Sequence, residues 1–163
     1  MDKIKRSFPP VADERTQVLV LGSLPGEQSL AQQRYYAHPQ NQFWRLIGVV
    51  IERDLPALPY EQRLEALLES RVGLWDTVGC ATRAGSLDSA IKLREANALP
   101  KLVAGLRDLR AVGFNGGKSA SIGLPLLSGL KGLALVALPS SSPASTVPFG
   151  AKLDRWMALK TFL

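Results

Sequence analysis

Four short apolar runs, each stopped by glycine, proline or a polar residue, constrain this chain more than any other feature. They lie at residues 17–22, 72–75, 110–114 and 133–138. Three of them are almost continuously apolar, as strands covered on both faces are. Helical periodicities fill the intervals. Residues 41–53 set Trp44, Ile47, Gly48 and Ile51 on one face, and residues 60–70 do the same with Leu64, Leu67 and Leu68. Residues 97–106 and 118–127 occupy the later crossovers, 151–162 close the chain, and Ser86 stands where it would cap a short helix over 87–93. This alternation predicts an α/β fold, a single three-layer α/β/α domain with a central, mainly parallel four-stranded sheet. Residues 16–163 are expected to form that domain and residues 1–15 an N-terminal arm or a loosely packed segment.

Open sheets of this kind take ligands beyond the carboxyl ends of their strands. The loops that start at Gly22, Asp76, Asn115 and Pro139 therefore hold the candidate site. The first reads GSLPG, with Gly22, Ser23, Leu24 and Pro25, and continues through YYAHPQNQFW over 35–44. Glycine and proline here fix a turn and permit close backbone approach to a ligand. Tyr36, in a polar, proline-containing loop, offers a ring on which a flat heterocycle can stack. Asn41 either caps the helix that follows or meets the ligand. His38, ahead of a proline, is either a structural hydrogen-bonder or an acid–base group. In the second loop, Asp76 either caps a turn or points an acceptor into the crevice.

Two motifs resemble other chemistries and fail on spacing. GSLPG is not the G-x-S-x-G elbow of serine hydrolases, because its serine stands one position early. GFNGGKS over 113–119 ends like a nucleotide-binding P-loop, but three residues instead of four separate Gly113 from the Gly117-Lys118 pair. No later apolar strand ends in the Asp that would hold magnesium. Backbone amides at this helix start, with Lys118 beside them, can still hold a DNA phosphate. The last loop runs through Pro139, Ser140, Ser141, Ser142 and Pro143. Its uncharged hydroxyls and amides suit phosphate contacts; a plain serine-rich linker is the alternative.

Composition narrows the chemistry further. With one Cys (Cys80) and one His (His38), a single chain can build neither an intrachain disulfide nor a four-ligand Cys/His metal site. A lone Cys fits a reducing cytoplasm. The opening MDKIKRSFPP lacks the apolar core of a signal peptide, and no apolar run approaches the ~20 residues that span a bilayer. A soluble, cytoplasmic chain without a membrane partner is expected. Twenty Lys+Arg against 14 Asp+Glu give a net charge of +6, which favours a polyanionic partner.

Taken in order, GSLPG, AHPQNQFW, GLWDTVG, GSLDSAI, FNGGK and LPSSSPAS resemble the uracil-DNA glycosylase superfamily. The AHPxNxFW portion is similar to its mismatch-specific uracil and thymine branch, and the set as a whole to its hypoxanthine (deoxyinosine) DNA glycosylases. The resemblance covers residues 18–146. It implies a monofunctional enzyme that flips a deaminated base, hypoxanthine first among them, from DNA and hydrolyses the N-glycosidic bond with water. It implies no cofactor and no metal, DNA with deaminated or mismatched bases as partner, and a monomer. On this reading Tyr36 stacks on the extruded base and Asp76 reads its edge, within the turn of Gly22, Ser23, Leu24 and Pro25. Asn41 positions the water, with His38 in possible support. The loop from Pro139 to Pro143 enters the minor groove, and Lys118 adds a phosphate contact.

Two departures stand out. Leu24 occupies the position at which the mismatch branch carries a water-activating Asn, so that role moves to Asn41. The residues that would fill the vacated stack, 142–144, are small. An ionised Asp76 would accept from N1–H of hypoxanthine and oppose the N1 lone pair of adenine, which discriminates against the normal base. The alternatives are a uracil or thymine mismatch glycosylase, a non-catalytic module that binds damaged DNA, and a nucleotide hydrolase centred on Lys118.

Overall fold

The computed structural model describes residues 3–163, so Met1 and Asp2 of the expected arm lie outside it. The sheet forms because four apolar segments can hide both faces at once. Strands β2 (Val18–Gly22), β3 (Val72–Asp76), β6 (Ala111–Asn115) and β7 (Ala134–Leu138) lie in the order β3-β2-β6-β7, all parallel. Side chains alternate along a strand. Val18 and Val20 enter one core with Phe43, Trp44, Ile47 and Trp156, while Leu19 and Leu21 enter a second with Leu99, Val112, Phe114 and Leu127. That division explains why the sequence of β2 shows no polar alternation. It is a strand with two insides.

The helices follow the apolar periodicities. α2 (Phe43–Ile51) and α3 (Tyr60–Glu69) make the crossover from β2 to β3, α4 (Leu99–Gly105) precedes β6, α5 (Gly117–Leu127) leads to β7, and α6 (Phe149–Trp156) closes the domain with a 3-10 turn over Met157–Phe162. A short helix, α1 (Glu27–Gln32), was not evident from the sequence because six mostly polar residues carry no legible stripe.

A second sheet was also missed. Strands β1 (Ile4–Arg6), β4 (Val78–Thr82) and β5 (Lys92–Ala96) form an antiparallel sheet in the order β1-β4-β5. Lys92 faces Thr82 and Leu93 faces Ala81, and this pairing draws the segment out straight. The helix expected over 87–93 is therefore absent; only a 3-10 turn at Asp88–Ala90 forms. Ser86 caps α1 instead, its Oγ accepting from the Glu27 N–H at 2.9 Å.

The described part of the arm is stitched down rather than loosely packed. Val11 exchanges two 2.8 Å backbone bonds with Leu74, Trp75 Nε1 donates to the Phe8 carbonyl at 2.9 Å, and Tyr35 Oη donates to the Pro9 carbonyl at 2.8 Å. The last of these bonds fixes the tyrosine loop above the sheet. No helix among the described residues is long and apolar enough to cross a membrane.

Candidate active site

A cleft of about 310 Å³ opens at the carboxyl ends of the parallel strands. It is lined by Gly22, Ser23, Leu24 and Pro25, by Tyr36, His38 and Asn41, by Asp76, and by Ser140, Ser141, Ser142 and Pro143. Nearly every candidate residue thus converges on one space. Pro139 and Lys118 do not line it. Pro139 uses its carbonyl to accept from Trp156 Nε1 at 2.9 Å, which fixes the start of the last loop. Lys118 sits half-buried at the start of α5.

Gly22 makes the floor possible. It pairs with Asp76 across β2 and β3, and a Cβ on it would fall 2.5 Å from Asp76 Oδ1 and 3.0 Å from Tyr36 Oη. Only a residue without a side chain lets those two polar tips close over the strand end. Asp76 is 4% exposed, and its Oδ2 has no hydrogen-bond partner among the described residues. Burial, then the like charge of Asp88, push its carboxyl up to about 7 against an opposing pull from Arg83. Near neutrality this side chain is divided between acid and carboxylate. The ionised acceptor expected from the sequence is only one of its two states.

Arg83 offsets that push only in part. Its guanidinium is committed to backbone carbonyls, with Nη2 at 2.6 Å from Pro25 O, Nη1 at 3.3 Å from Leu24 O and Nε at 2.8 Å from Gly85 O. Those bonds clamp the GSLPG turn. Ser23 Oγ donates to Asp88 Oδ1 at 2.6 Å, which brings the second carboxylate to the wall of the cleft. Leu24 is turned into a small apolar cluster with Val78, Ala81 and Ile91, so it anchors the turn.

Tyr36 adopts a φ of 53°, an uncommon conformation for a bulky residue. Trp44 Nε1 donates to its carbonyl at 3.1 Å and the next N–H, of Ala37, donates to Ser29 Oγ at 3.0 Å. The ring rests on Phe43 with centroids 4.0 Å apart, so its position is set from behind. Burial and the neighbouring Asp76 push its phenol above its ordinary value. Tyr36 enters the site as a neutral ring.

Asn41 stands one residue before Gln42, the N-cap of α2, and is not itself that cap. Its Oδ1 accepts from the Phe43 N–H at 2.9 Å, a turn that ties the loop to the first residue of the helix. That bond fixes the amide orientation, and nothing among the described residues accepts from Nδ2. His38 Nδ1 accepts from the Gln40 N–H at 3.0 Å, so the neutral ring carries its proton on Nε2.

Two residues missed by sequence reasoning, Asn115 and Asp88, line the cleft, and a third, Lys152, supports it from beneath. Asn115, at the end of β6, donates from Nδ2 to Tyr36 Oη at 3.2 Å and to Ser141 Oγ at 2.9 Å, and its Oδ1 accepts from the Ser141 N–H at 2.9 Å. It ties the tyrosine loop to the last loop. Its place at a strand end was the available signal. Asp88 stands within the GSLDSAI motif, but nothing in that motif showed that its turn would reach the cleft. Lys152 on α6 is 1% exposed and donates from Nζ to Gln42 Oε1 at 2.9 Å, beneath the last loop.

The P-loop likeness ends here. Ser119 is fully buried and its Oγ donates to the Leu21 carbonyl at 2.6 Å, where it cannot reach a magnesium ion. Cys80 is buried on β4 and does not line the cleft. Among the described residues no group of three His, Cys, Asp or Glu could hold a metal ion.

The comparisons with known proteins agree with this geometry. The family model described as the Uracil DNA glycosylase superfamily matches residues 9–161. The chain is 41% identical over 152 residues to the hypoxanthine DNA glycosylase of Methanosarcina barkeri, covering 93% of this chain and 95% of that one. It is 44% identical over 142 residues to the hypoxanthine DNA glycosylase of Methanosarcina acetivorans, covering 87% and 89%. A solution NMR structure of a candidate uracil DNA glycosylase from M. acetivorans superposes with a TM-score of 0.87 at 41% identity, covering 97% of each chain.

Proposed function

The chain belongs to the uracil DNA glycosylase superfamily, and from that premise we propose that it is a monofunctional DNA N-glycosylase that excises deaminated bases, hypoxanthine first among them. The observation that carries this reading is the convergence of a backed aromatic ring, an immobilised amide and an unpartnered buried carboxyl on one cleft. A base inside the duplex is unreachable, so the enzyme must extrude it. Tyr36, held from behind by Phe43, stacks on the flipped ring, and Asp76 meets it from the floor. With the Leu24 side chain in the small apolar cluster, water positioning falls to Asn41.

The turn bond and catalysis are not rivals at Asn41. The Oδ1 bond to the helix holds the amide still, which leaves Nδ2–H and the second Oδ1 lone pair to orient a water towards C1′. The sugar then passes through an oxocarbenium-like state as the base leaves. His38 adds a donor at the same wall. At the rim, Ser140, Ser142 and Pro143 meet the DNA backbone along the minor groove, with Pro139 anchoring the loop and Lys118 taking a phosphate outside the cleft. Salt should weaken that binding as counterions compete. Ser141, expected beside them, is 1% exposed and bonded to Asn115, so it anchors the loop instead.

The test is incubation, without metal, with oligonucleotides bearing hypoxanthine, uracil or mismatched thymine, followed by alkali. Strand breaks at hypoxanthine are expected. Breaks only at uracil or thymine would support the mismatch branch instead. Binding of damaged DNA without breaks would make the protein a reader and overturn the enzymatic reading. Asn41→Ala should lower turnover by at least about a hundredfold, the scale of a lost positioning group, while abasic-site binding persists.

A further inference from the structure

Asp76 is the feature that base recognition alone leaves unexplained. A carboxyl that merely read a base edge would gain from a fixed charge and a fixed partner. This one has neither. It is buried, its Oδ2 is without a partner among the described residues, and it faces the cleft. The groups around it come from three places. Asp88, held to Ser23, brings a second carboxyl from the turn between β4 and β5. Arg83, at the end of β4, brings a cation already tied to three carbonyls. Tyr36 and Tyr35 bring neutral phenols from the loop after α1. Burial first, and then the like charge of Asp88, disfavour an ionised Asp76, and the Arg83 cation opposes them only in part.

Resting on the glycosylase reading above, we propose that Asp76 is the leaving-group acid: it enters the reaction as a neutral carboxyl and gives its proton to the departing base. The C1′–N bond breaks and its electron pair leaves with the base. The carboxyl proton passes to a ring nitrogen of that base, N3 or N7 in a purine. The water held at Asn41 bonds to C1′ and releases a proton, which restores the Asp76 acid through solvent. The sum is hydrolysis, with no other reactant. Purines gain most from this help because an expelled purine anion is a poor leaving group. The residue thereby favours purines over uracil and thymine. Burial and Asp88 supply the acid form near neutrality, since they push the carboxyl up to about 7. General acids of this kind contribute about a hundredfold or more.

The experiment is the pH dependence of single-turnover excision of hypoxanthine from an oligonucleotide, between pH 5.5 and 9. The wild-type rate should be level at low pH and fall towards tenfold per unit above pH 7. Asp76→Asn should lose about a hundredfold at pH 6 and show no such limb. A histidine titrates in the same range, so His38→Gln must keep the limb for the assignment to stand. A wild-type rate that rises through pH 7 makes the ionised acceptor the working form and overturns the proposal. So does a flat profile, or an Asp76→Asn variant with the wild-type rate. Absence of excision at every pH removes the glycosylase reading itself and this proposal with it, whereas excision with a rising limb removes only the acid.

Discussion

Asp76 and Asn115 occupy matching places and live in opposite conditions. Each ends a parallel strand that flanks β2, each is about 5% exposed, and each reaches the same cleft. Asn115 has three hydrogen bonds, to Tyr36 Oη, Ser141 Oγ and the Ser141 N–H. Asp76 has an orphaned oxygen and a second carboxyl beside it. A buried polar group left unsatisfied costs about 1–3 kcal/mol. A fold holds such a group where something outside the chain completes it. The comparison separates the residue that builds the cleft from the residue that waits for the substrate.

The largest expected effect tests the waiting half. A raised carboxyl means that the folded state holds its proton while the unfolded chain, with an ordinary Asp, releases it. Between about pH 4 and pH 7 the folded state therefore binds more protons, and stability falls as pH rises. Above the folded value of about 7 the loss levels off. From pH 5 to pH 8 the wild type should lose about 3 kcal/mol relative to Asp76→Asn, at about 1.4 kcal/mol per unit. Denaturant unfolding of both proteins at the two pH values measures it. A wild type that gains stability over this interval relative to the variant would mean that Asp76 is a paired carboxylate, and the contrast would be broken.

The building half predicts a loss with no pH signature. Asn115→Ala strands Ser141 and the Tyr36 hydroxyl, and should cost about 2–3 kcal/mol at pH 5 and pH 8 alike. Protease nicking of the last loop should rise with it. If Asn115→Ala is neutral in stability and changes only excision, then Asn115 belongs with Asp76 and the division between them fails.

Gly22 is where the two halves meet, and its effect is next in size. A methyl there overlaps Asp76 Oδ1 at 2.5 Å and crowds Tyr36 Oη at 3.0 Å. Overpacking of this kind costs about 1–3 kcal/mol. The cost of Gly22→Ala should shrink when Asp76→Ala is present, because the main obstruction is gone. Strict additivity of the two substitutions would show that the strand, not the carboxyl, resists the methyl.

What the sequence revealed follows the same division. β2, β3, β6 and β7 were legible because burial on both faces leaves a continuous apolar signature, and a strand end with a ligand loop follows from the parallel sheet. Tyr36, Asn41 and Asp76 could be named because they stand at those ends. The antiparallel sheet was not legible. β5 is lined by Lys92, Arg94 and Glu95 and is exposed along most of its length, so its extended form depends on a partner strand distant in sequence. The place of Asp88, in the turn that leads to β5, was lost with it, and so was the second push, after burial, on the Asp76 carboxyl. A residue's type can be read locally, but its protonation depends on what the fold brings alongside.

Asn41 carries the smallest expected effect on stability, and that smallness is informative. Its Oδ1 holds one N–H at the start of α2. Losing one such bond costs about 1 kcal/mol, less than either half of the floor should show. A helix with Phe43, Trp44, Leu46, Ile47 and Val50 buried does not depend on it. Asn41→Asp keeps the turn acceptor and removes the Nδ2 donor, so thermal denaturation should find it near wild type. Its excision should nonetheless fall with that of Asn41→Ala. If Asn41→Asp instead excises hypoxanthine normally, the Nδ2 group has no part in holding the water. The turn bond alone would then account for the residue, and the cleft would have one fewer group waiting for substrate.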